Sequence, residues 1–344
     1  MADDTTRRIL LARRPKGAPV PEDFRLDEAP VPALEPGEVL VRTIWLSLDP
    51  YMRGRMSDAP SYAAPVPIGG VMEAECVGQV EASRANGIGV GDFVRGRGGW
   101  QSRFVLPAAK LARVDPAEAP LSTSLGVLGM PGFTAYVGLH AIAKPKPGET
   151  VVVGAASGAV GAIAGQLAAI AGCQVVGVAG GADKCRYVQE ELGFATCIDR
   201  REGDLAGRLR EACPNGVDVY VELVGGDLLW ALLPMFNLHA RIPVIGAIAW
   251  YNLPALPDGP DRSPQLWRAI LTKRLHVEGM IVYDFADLEP EFRRTCAPLV
   301  REGRLRFKED VVEGLENAPT AFIGMLEGRN FGKLLVQVAP DPTR

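Results

Sequence analysis

Histidine is scarce in this chain, and its cysteines are scattered. No two cysteines stand in C-x-x-C spacing, and no histidine lies within five residues of a cysteine. Zinc sites are usually built from such clusters, so no metal site is expected. Dispersed cysteines in a chain of this length also do not predict a disulfide framework. The residues concerned are His140, His239, His276, Cys76, Cys173, Cys185, Cys197, Cys213 and Cys296.

The chain also lacks a basic block and a long apolar run. Its 37 basic and 41 acidic residues leave a formal net charge of -4, which gives no electrostatic reason to bind nucleic acid. The longest apolar stretch, residues 151–171, is broken by glycines and polar residues, and the first eight residues contain two acids and no apolar segment. We therefore expect no membrane span, no secretory signal and a cytoplasmic location with reduced thiols.

What is present is the composition of a globular protein with two domains. Of the 344 residues, 47% are hydrophobic and 23% are charged, which excludes a disordered chain. Up to residue 125, short apolar runs alternate with turn residues, which is typical of a β-barrel or sandwich. Six prolines are expected to lie between these strands; they are Pro30, Pro32, Pro36, Pro65, Pro67 and Pro107.

From residue 126 onward, apolar runs alternate with helical stretches. Runs near 149–154, 174–178 and 217–224 predict strands, and residues 158–171 and 183–192 predict helices. Strands without polar alternation, separated by helices, indicate a parallel sheet covered on both faces. After residue 310 the chain returns to short strands, and we expect this tail to complete the first domain.

A glycine-rich turn follows the first of these strands. In Val151-Val-Val-Gly-Ala-Ala-Ser-Gly-Ala-Val-Gly, the positions of a G-x-G-x-x-G fingerprint are filled by Ala156, Gly158 and Gly161. Such a turn lets the backbone approach a pyrophosphate, whose charge then meets the amides of a helix N-terminus. The strand before it and the helix after it are the context that the motif requires. The alternative is a tight strand–helix turn that binds no nucleotide.

The end of the second strand favours NADP over NAD. An NAD site usually has an acidic residue there to accept from the ribose hydroxyls, whereas this chain has Ala179, Gly180 and Gly181. Without that carboxylate a 2′-phosphate fits, and cations stand close in sequence. They are Lys184, Arg186, Arg200 and Arg201, of which Lys184 and Arg186 have the alternative reading of solvated helix residues.

Seven motifs carry a family resemblance along nearly the whole chain. The first is Leu46-Ser-Leu-Asp-Pro-Tyr-Met-Arg-Gly-Arg-Met and the last is Gly328-Arg-Asn-Phe-Gly-Lys. Between them lie Leu128-Gly-Met-Pro-Gly-Phe-Thr-Ala-Tyr, the glycine turn, Val224-Gly-Gly, Ile245-Gly-Ala-Ile-Ala-Trp-Tyr-Asn and Glu278-Gly-Met-Ile-Val. The chain resembles the zinc-independent medium-chain dehydrogenase/reductase superfamily, and within it the NADP-dependent alkenal/one double-bond reductases, which include prostaglandin reductases and curcumin-reductase-like enzymes.

The resemblance implies an α/β architecture: a GroES-like β-barrel catalytic domain over residues 1–125, a doubly wound Rossmann domain over 126–310, and a tail, 311–344, that returns to the first domain. It also implies a homodimer with its active site in the cleft between domains. The cofactor contacts that it implies are Met130, Thr134, Ala156, Ser157, Gly158, Ala159, Val160, Gly161, Lys184, Arg200, Val224, Gly246, Ala247, Ile248, Tyr251, Met280, Ile281, Val282 and Asn330.

Three positions depart from the family pattern. Arg200 stands where a tyrosine near the adenosine phosphate is usual, and Leu223 replaces the asparagine that commonly precedes Val-Gly-Gly. The loop-like segment Asp258-Gly-Pro-Asp-Arg-Ser-Pro is expected to reshape the substrate pocket.

The implied reaction is hydride transfer from NADPH to the β-carbon of an α,β-unsaturated ketone or aldehyde. The enolate oxygen then needs hydrogen-bond donors already aimed at it. Tyr251 is the first candidate donor, beside a cofactor ribose hydroxyl, and Tyr62 is the next. Each has an alternative role, since Tyr251 could only stack on the cofactor and Tyr62 could be a loop-packing aromatic. Tyr51 is expected to organise its loop, with Arg53 in a structural ion pair.

Two other functions remain open at this point. A quinone oxidoreductase would use the same fold and cofactor. A non-catalytic NADPH-binding protein, of the kind related to lens crystallins, would bind the cofactor without turnover. The physiological substrate depends on the shape of the pocket, which one sequence does not determine.

Overall fold

The structure is a computed structural model that describes residues 5–255 and 259–344. Two expectations fall partly outside the described residues. The absence of a secretory signal was predicted in part from residues 1–4, and the segment expected to reshape the substrate pocket begins at Asp258. The chain divides into two compact units. One comprises the residues up to Gly126 together with Glu309–Arg344, and the other is Val127–Lys308.

The first unit is rich in β-structure. Its sheets consist of a two-stranded pair, β1–β2, and a seven-stranded sheet in the order β14-β15-β3-β4-β5-β7, in which β6 also pairs with β3. Its strands are β1 (Thr5–Leu11), β2 (Phe24–Pro30), β3 (Glu38–Ser47), β4 (Cys76–Ser83), β5 (Phe93–Gly96), β6 (Arg103–Pro107), β7 (Ala112–Arg113), β14 (Glu309–Glu313) and β15 (Lys333–Gln337), and its helices are α1 (Met52–Arg55) and α9 (Ala318–Leu326).

Strand β3 is the centre of this sheet because it binds two partners along one edge. Its first half pairs antiparallel with β6, and its second half pairs antiparallel with β15. The tail strand is held further by Lys333, whose Nζ atom lies 2.8 Å from both Asp49 Oδ1 and the Leu48 carbonyl oxygen. The return of the tail to this sheet therefore rests on a buried ion pair as well as on backbone hydrogen bonds.

The core of the first unit surrounds an aromatic cluster. The rings of Phe24 and Trp100 stack with centroids 5.6 Å apart, and Phe322 of α9 meets both edge-on. Two prolines differ from the prediction that they lie between strands. Pro30 and Pro107 are the last residues of β2 and β6, where a missing amide costs the ladder little because it falls at a strand end.

The second unit contains a six-stranded parallel sheet in the order β10-β9-β8-β11-β12-β13. Its strands are β8 (Thr150–Val153), β9 (Gln174–Ala179), β10 (Thr196–Asp199), β11 (Val217–Val221), β12 (Phe236–Val244) and β13 (His276–Gly279). Its helices are α2 (Met130–Val137), continued by a π-helical turn at Gly138–Ala143, α3 (Gly161–Ile170), α4 (Ala182–Glu190), α5 (Leu205–Ala212), α6 (Gly226–Leu232), α7 (Ser263–Lys273) and α8 (Glu289–Arg301).

This strand order is that of a Rossmann fold, with β8 as its first strand. The apolar runs form buried strands, since every residue of β8 and all but the first residue of β9 are buried. The predicted fold class, a Rossmann domain together with a separate β-rich domain, is confirmed. Within the described residues, no helix is long and apolar enough to cross a membrane.

Several element boundaries differ from the prediction, and the strand predicted over 217–224 ends at Val221. Helix α3 begins at Gly161 and not at Gly158, because residues 158–160 belong to the turn that precedes it. The segment predicted as a loop near residue 260 ends earlier than expected, since Ser263 and Pro264 are the first residues of α7. Proline suits this position because the amides of a first helical turn have no partner within the helix, so the amide hydrogen that proline lacks is not missed.

Candidate cofactor site at the carboxyl edge of the parallel sheet

The carboxyl ends of the six parallel strands share one edge of the sheet. The strand order reverses between β8 and β11, and ligands of open α/β sheets bind in the crevice at such a switch point. Most of the expected cofactor residues of this unit follow those strand ends. They are the glycine turn after β8, Lys184 after β9, Arg200 after β10, Val224 after β11, Gly246–Tyr251 after β12 and Met280–Val282 after β13.

The turn after β8 is tight because two glycines and one left-handed alanine shape it. Ala155 has φ +47°, an unusual value for a residue with a side chain. A Cβ atom on Gly161 would lie 2.5 Å from the Ala155 carbonyl oxygen, and one on Gly158 would lie 3.1 Å from it. The glycines therefore let the backbone fold back on itself before α3 begins.

Alanine fills the first position of the fingerprint without closing the turn. Ala156 is buried, and its amide donates to the Val178 carbonyl oxygen of β9 at 3.0 Å. Its methyl group faces Gly177 of β9, where an added Cβ would come within 2.9 Å. The missing glycine at residue 156 is thus matched by a glycine in the neighbouring strand. Ser157 is buried in the same turn, and Ala159 and Val160 are half-buried.

The end of β9 is surrounded by guanidinium groups. An added Cβ on Gly180 would meet the Nε atoms of Arg200 and Arg201 at 3.3 and 3.4 Å, and one on Gly181 would meet Nη1 of Arg201 at 3.3 Å. Both arginines are exposed, and Lys184 lies half-buried in the first turn of α4. Arg186 instead pairs with Asp183 at 2.9 Å on the exposed face of α4.

Asp199 organises this cationic corner. Its Oδ1 atom accepts from the amides of Gly181 and Arg201 at 2.8 and 2.9 Å. These amides, that of Arg201 first, keep the pKa of the Asp199 carboxyl below its usual range although burial acts against them. The carboxylate of Asp199 therefore binds backbone amides. The end of β9 carries positive charge at the position where an NAD site usually has an acidic residue.

Glu222 is a site residue that sequence reasoning missed. It follows β11, is only 4% exposed, and its Oε1 atom accepts from the Tyr220 hydroxyl and from the amides of Val224 and Gly225 at 2.7–2.8 Å. Its carbonyl oxygen accepts from Ile245 and Gly246 at 2.9 and 3.1 Å. One buried residue therefore holds the turns after both β11 and β12. The signal in the sequence was an acidic residue placed directly after the apolar run Val219-Tyr-Val.

Burial raises the pKa of Tyr220 well above its ordinary value, and the neighbouring Glu222 carboxylate acts in the same direction. The tyrosine thus stays protonated, and its hydroxyl donates a hydrogen bond to Glu222. This donated hydrogen bond is one of three that stabilise a charged side chain in the interior.

The loop that carries Tyr251 folds onto the turn after β11. The amide of Ala249 donates to the Val224 carbonyl oxygen at 3.0 Å, and the Trp250 ring packs against Gly225, where an added Cβ would lie 2.9 Å away. The Tyr251 hydroxyl accepts from the Ala247 amide at 3.3 Å. Leu223, the residue in place of the usual asparagine, contributes its carbonyl oxygen to the Ile248 amide at 3.3 Å.

Helix α2 places two further expected contacts on one face. Thr134 is buried, and its hydroxyl lies 3.5 Å from the Met130 sulfur, one helical turn before it. At the last strand, the amide of Met280 donates to the Val244 carbonyl oxygen, which joins the ends of β12 and β13. Met280 and Val282 are buried, while Ile281 between them is half-buried.

Two expected site residues, Tyr62 and Asn330, belong to the first unit. Asn330 donates from Nδ2 to the Gly332 carbonyl oxygen at 2.9 Å and so closes its own turn. The Tyr62 ring lies over the guanidinium of Arg55, 4.3 Å from its central carbon. The expected ion pair of Arg53 is not found among the described residues: its guanidinium donates to the Gly17 carbonyl oxygen at 2.7 Å, and Asp23 acts on it only as a nearby charge.

In the described part of the chain, no three His, Cys, Asp or Glu side chains come together as metal ligands. All six cysteines are free thiols, and burial raises the pKa of every one of them. His140 stacks on Tyr136, and burial lowers its pKa. None of these groups has the environment of an activated nucleophile.

Comparison with known proteins agrees with this geometry. Residues 7–114 match a family model described as the N-terminal domain of oxidoreductase, and residues 159–297 match one described as zinc-binding dehydrogenase. An NADPH-dependent curcumin reductase of Escherichia coli is 51% identical over 97% of this chain and 97% of its own length. The chain belongs to the medium-chain dehydrogenase/reductase family. It is an NADPH-dependent reductase of the curcumin, alkenal and prostaglandin reductase type.

Other members of the family are similar over the same span. Prostaglandin reductase 1 of Bos taurus is 38% identical over 93% of this chain and 95% of its own length. The crystal structure of CurA from Vibrio vulnificus in complex with NADPH has a TM-score of 0.94 and 46% identity, covering 97% of this chain and 100% of that one. The predicted family resemblance is confirmed.

Proposed function

We propose that this enzyme reduces the C=C bond of α,β-unsaturated ketones and aldehydes with NADPH. The observation that carries the proposal is the likeness, over nearly the whole chain, to the curcumin reductase and prostaglandin reductase sequences and to CurA bound to NADPH. When bound, the reduced nicotinamide supplies the hydride that the β-carbon accepts, and the α-carbon of the resulting enolate then takes a proton from solvent. The protein's own residues bind the cofactor and stabilise the charge that develops on the carbonyl oxygen.

The residues after the strand ends fit NADP(H) chemically. We assign the pyrophosphate to the turn from Ala156 to Gly161, where the glycines remove the side chains that would block it and α3 begins. We assign the 2′-phosphate to the corner formed by Gly180, Lys184, Arg200 and Arg201, since guanidinium groups form strong charge-assisted hydrogen bonds with phosphate.

Tyr251 is our candidate for stabilising the enolate. Its phenol is half-buried, and its oxygen accepts from the Ala247 amide, so the loop fixes the orientation of the ring. A phenol held in place can donate its own proton in a hydrogen bond to the developing oxyanion without first reorienting. Tyr62, the second candidate in the sequence, has its ring over Arg55 instead, which supports a role in contacting the substrate.

The test is a substrate panel at fixed NADPH. We expect oxidation of NADPH with an alkyl enal and with an aryl enone, and much slower oxidation with a quinone. A result with turnover of quinone alone would replace the proposal by a quinone oxidoreductase. Tight NADPH binding with no turnover of any of the three substrates would indicate a non-catalytic NADPH-binding protein.

We further propose a homodimer, formed through the edge of the parallel sheet. Every residue of β13 is exposed, and in the described residues its strand partner is β12 alone. Trp267 and Leu271, one helical turn apart on α7, are exposed large apolar residues, as is Val277 of β13. Such an edge is a template for strand pairing with a second copy.

Light scattering tests the homodimer. The measured mass should be twice the 36.8 kDa of one chain, and Leu271→Glu should lower that mass to the mass of one chain.

We also propose a cytoplasmic location, because the six free thiols fit a reducing compartment. Fractionation of the native host would test it: recovery outside the cytosolic fraction would contradict the proposal.

A further inference from the structure

Arg55 is a buried arginine that holds an exposed loop. It ends the short helix α1, is 3% exposed, and its Nη1 atom donates to the carbonyl oxygen of Ala63 at 3.2 Å and to the hydroxyl of Ser61 at 3.4 Å. Its Nε atom lies 3.8 Å from Glu73 Oε1, and its own carbonyl oxygen accepts from Val66. The backbone on either side of Tyr62 is therefore tied to one side chain.

The same guanidinium lies against two aromatic rings. Its central carbon is 4.3 Å from the centroid of the Tyr62 ring and 5.7 Å from that of the Tyr51 ring. A cation over a ring is attracted to it, and the attraction is stronger where water is excluded, as it is around Arg55. Arg55 thus sets the orientation of the Tyr62 ring from beneath.

The Tyr62 ring nevertheless remains open on its other side. It is 55% exposed, and no described residue hydrogen-bonds to its hydroxyl. The residues around it, from Asp58 to Pro65, are all exposed and form neither helix nor strand. A large aromatic side chain that is held rigidly and exposed on one face is a ready surface for another flat group.

We infer that Arg55 is a positioning residue for substrate: it fixes Tyr62 as a stacking surface that favours enones carrying an aryl group conjugated to the double bond. The inference rests on the proposed function and adds the substrate class. Arg55 acts through Tyr62 and does not touch the reacting atoms. The expected consequence is selectivity in KM for aryl over alkyl enones, with the NADPH KM unaffected.

The experiment compares 4-phenylbut-3-en-2-one with oct-3-en-2-one, which has the same enone and a flexible alkyl chain. Tyr62→Ala and Arg55→Lys should each raise the KM of the aryl enone about fivefold and change that of the alkyl enone less than about twofold. Tyr62→Phe, which keeps the ring, should leave the ratio of the two KM values as it is in the wild type. In a Tyr62→Ala background, Arg55→Lys should have no further effect on the aryl KM, because its target is gone.

Arg53→Lys is the matched control. Arg53 is a buried arginine of the same helix, and its hydrogen bond goes to Gly17, so its replacement should lower Tm without changing the ratio of the two KM values. Equal effects of Arg55→Lys on both enones, or a full additional effect in the Tyr62→Ala background, would overturn the inference.

Calorimetry separates this inference from the proposed function. The saturated ketones 4-phenylbutan-2-one and octan-2-one are titrated into the NADP⁺-bound enzyme. If the wild type reduces neither enone, the proposed function fails, while weaker binding of the aryl ketone by Arg55→Lys but not by Arg53→Lys still supports the stacking surface. Equal binding of the aryl ketone by wild type and Arg55→Lys contradicts it.

Discussion

At the end of β9, positive charge stands where an NAD site would carry a carboxylate. Arg200 and Arg201 lie against Gly180 and Gly181, and Asp199 is occupied by two backbone amides. A 2′-phosphate bound here would make charge-assisted hydrogen bonds that the 2′-hydroxyl of NADH does not make with the same strength. Cofactor preference is therefore decided by a few side chains at this corner.

Removing one of these cations should weaken NADPH selectively. Arg200→Gln is expected to raise the NADPH KM about tenfold and to leave the NADH KM unchanged. Lys184→Ala should likewise raise the NADPH KM. Arg210→Gln, on the exposed face of α5, is the control and should change neither. A rise in the NADH KM equal to that for NADPH would show that these residues support the fold and not the phosphate.

Tyr251 is the residue to which the chemical step is most sensitive in this account. Tyr251→Phe keeps the ring but removes the hydroxyl that would donate to the enolate, so kcat should fall about tenfold or more. The NADPH KM should change less than about twofold, since the ring remains in the loop. Stopped-flow measurement of single-turnover NADPH oxidation isolates this step, and an unchanged rate would mean that Tyr251 only packs against the cofactor.

At the scale of elements, helix α3 depends on a glycine that the fingerprint does not include. A Cβ atom on Gly165 would overlap the ring of Phe194, which lies two residues before β10. Gly165→Ala should therefore destabilise the protein by about 1–3 kcal/mol, as measured by urea unfolding. Gly165→Ala combined with Phe194→Leu should recover part of that loss, whereas an additive effect of the two changes would contradict the packing argument.

Local signals in the sequence were sufficient for the elements but not for the contacts between their ends. The apolar runs of β8 and β9 identify buried strands because burial on both faces removes polar residues. The left-handed Ala155 and the late start of α3 were not predicted, since the motif specifies small residues and not their torsions. Glu222 was missed because its role depends on amides at residues 224 and 225 and on a loop more than 20 residues later.

At the scale of the whole molecule, carboxylates in both units predict sensitivity to acid. Hydrogen bonds and cations lower the pKa of Asp92, Glu149, Asp199 and Asp341. A lowered pKa contributes stability above the ordinary carboxyl value of about 4, and that stability is lost as pH falls through the folded-state value. Burial raises the pKa of Glu309, which moderates the loss.

His140 also makes the folded state less stable in acid, and its effect begins at a higher pH than that of the carboxylates. Burial lowers its pKa from an ordinary value of about 6.5. The folded state favours the neutral imidazole, so its contribution to the free energy of unfolding is fully present at pH 7. That contribution declines as the pH falls below the ordinary histidine pKa. We expect Tm to be nearly constant from pH 7 to 8, to decline slightly below about 6.5 and to fall steeply below about 4. A higher Tm at pH 3 than at pH 7 would contradict this account.

The position of the transferred hydride tests the central claim most directly. The enzyme is incubated with 4-phenylbut-3-en-2-one and NADPH that carries deuterium at C4, with each face of the nicotinamide labelled in a separate reaction. NMR of the product should show one deuterium on the carbon β to an intact ketone, from one of the two labelled cofactors. Deuterium on the former carbonyl carbon of an alcohol would contradict C=C reduction, and with it the proposed role of Tyr251.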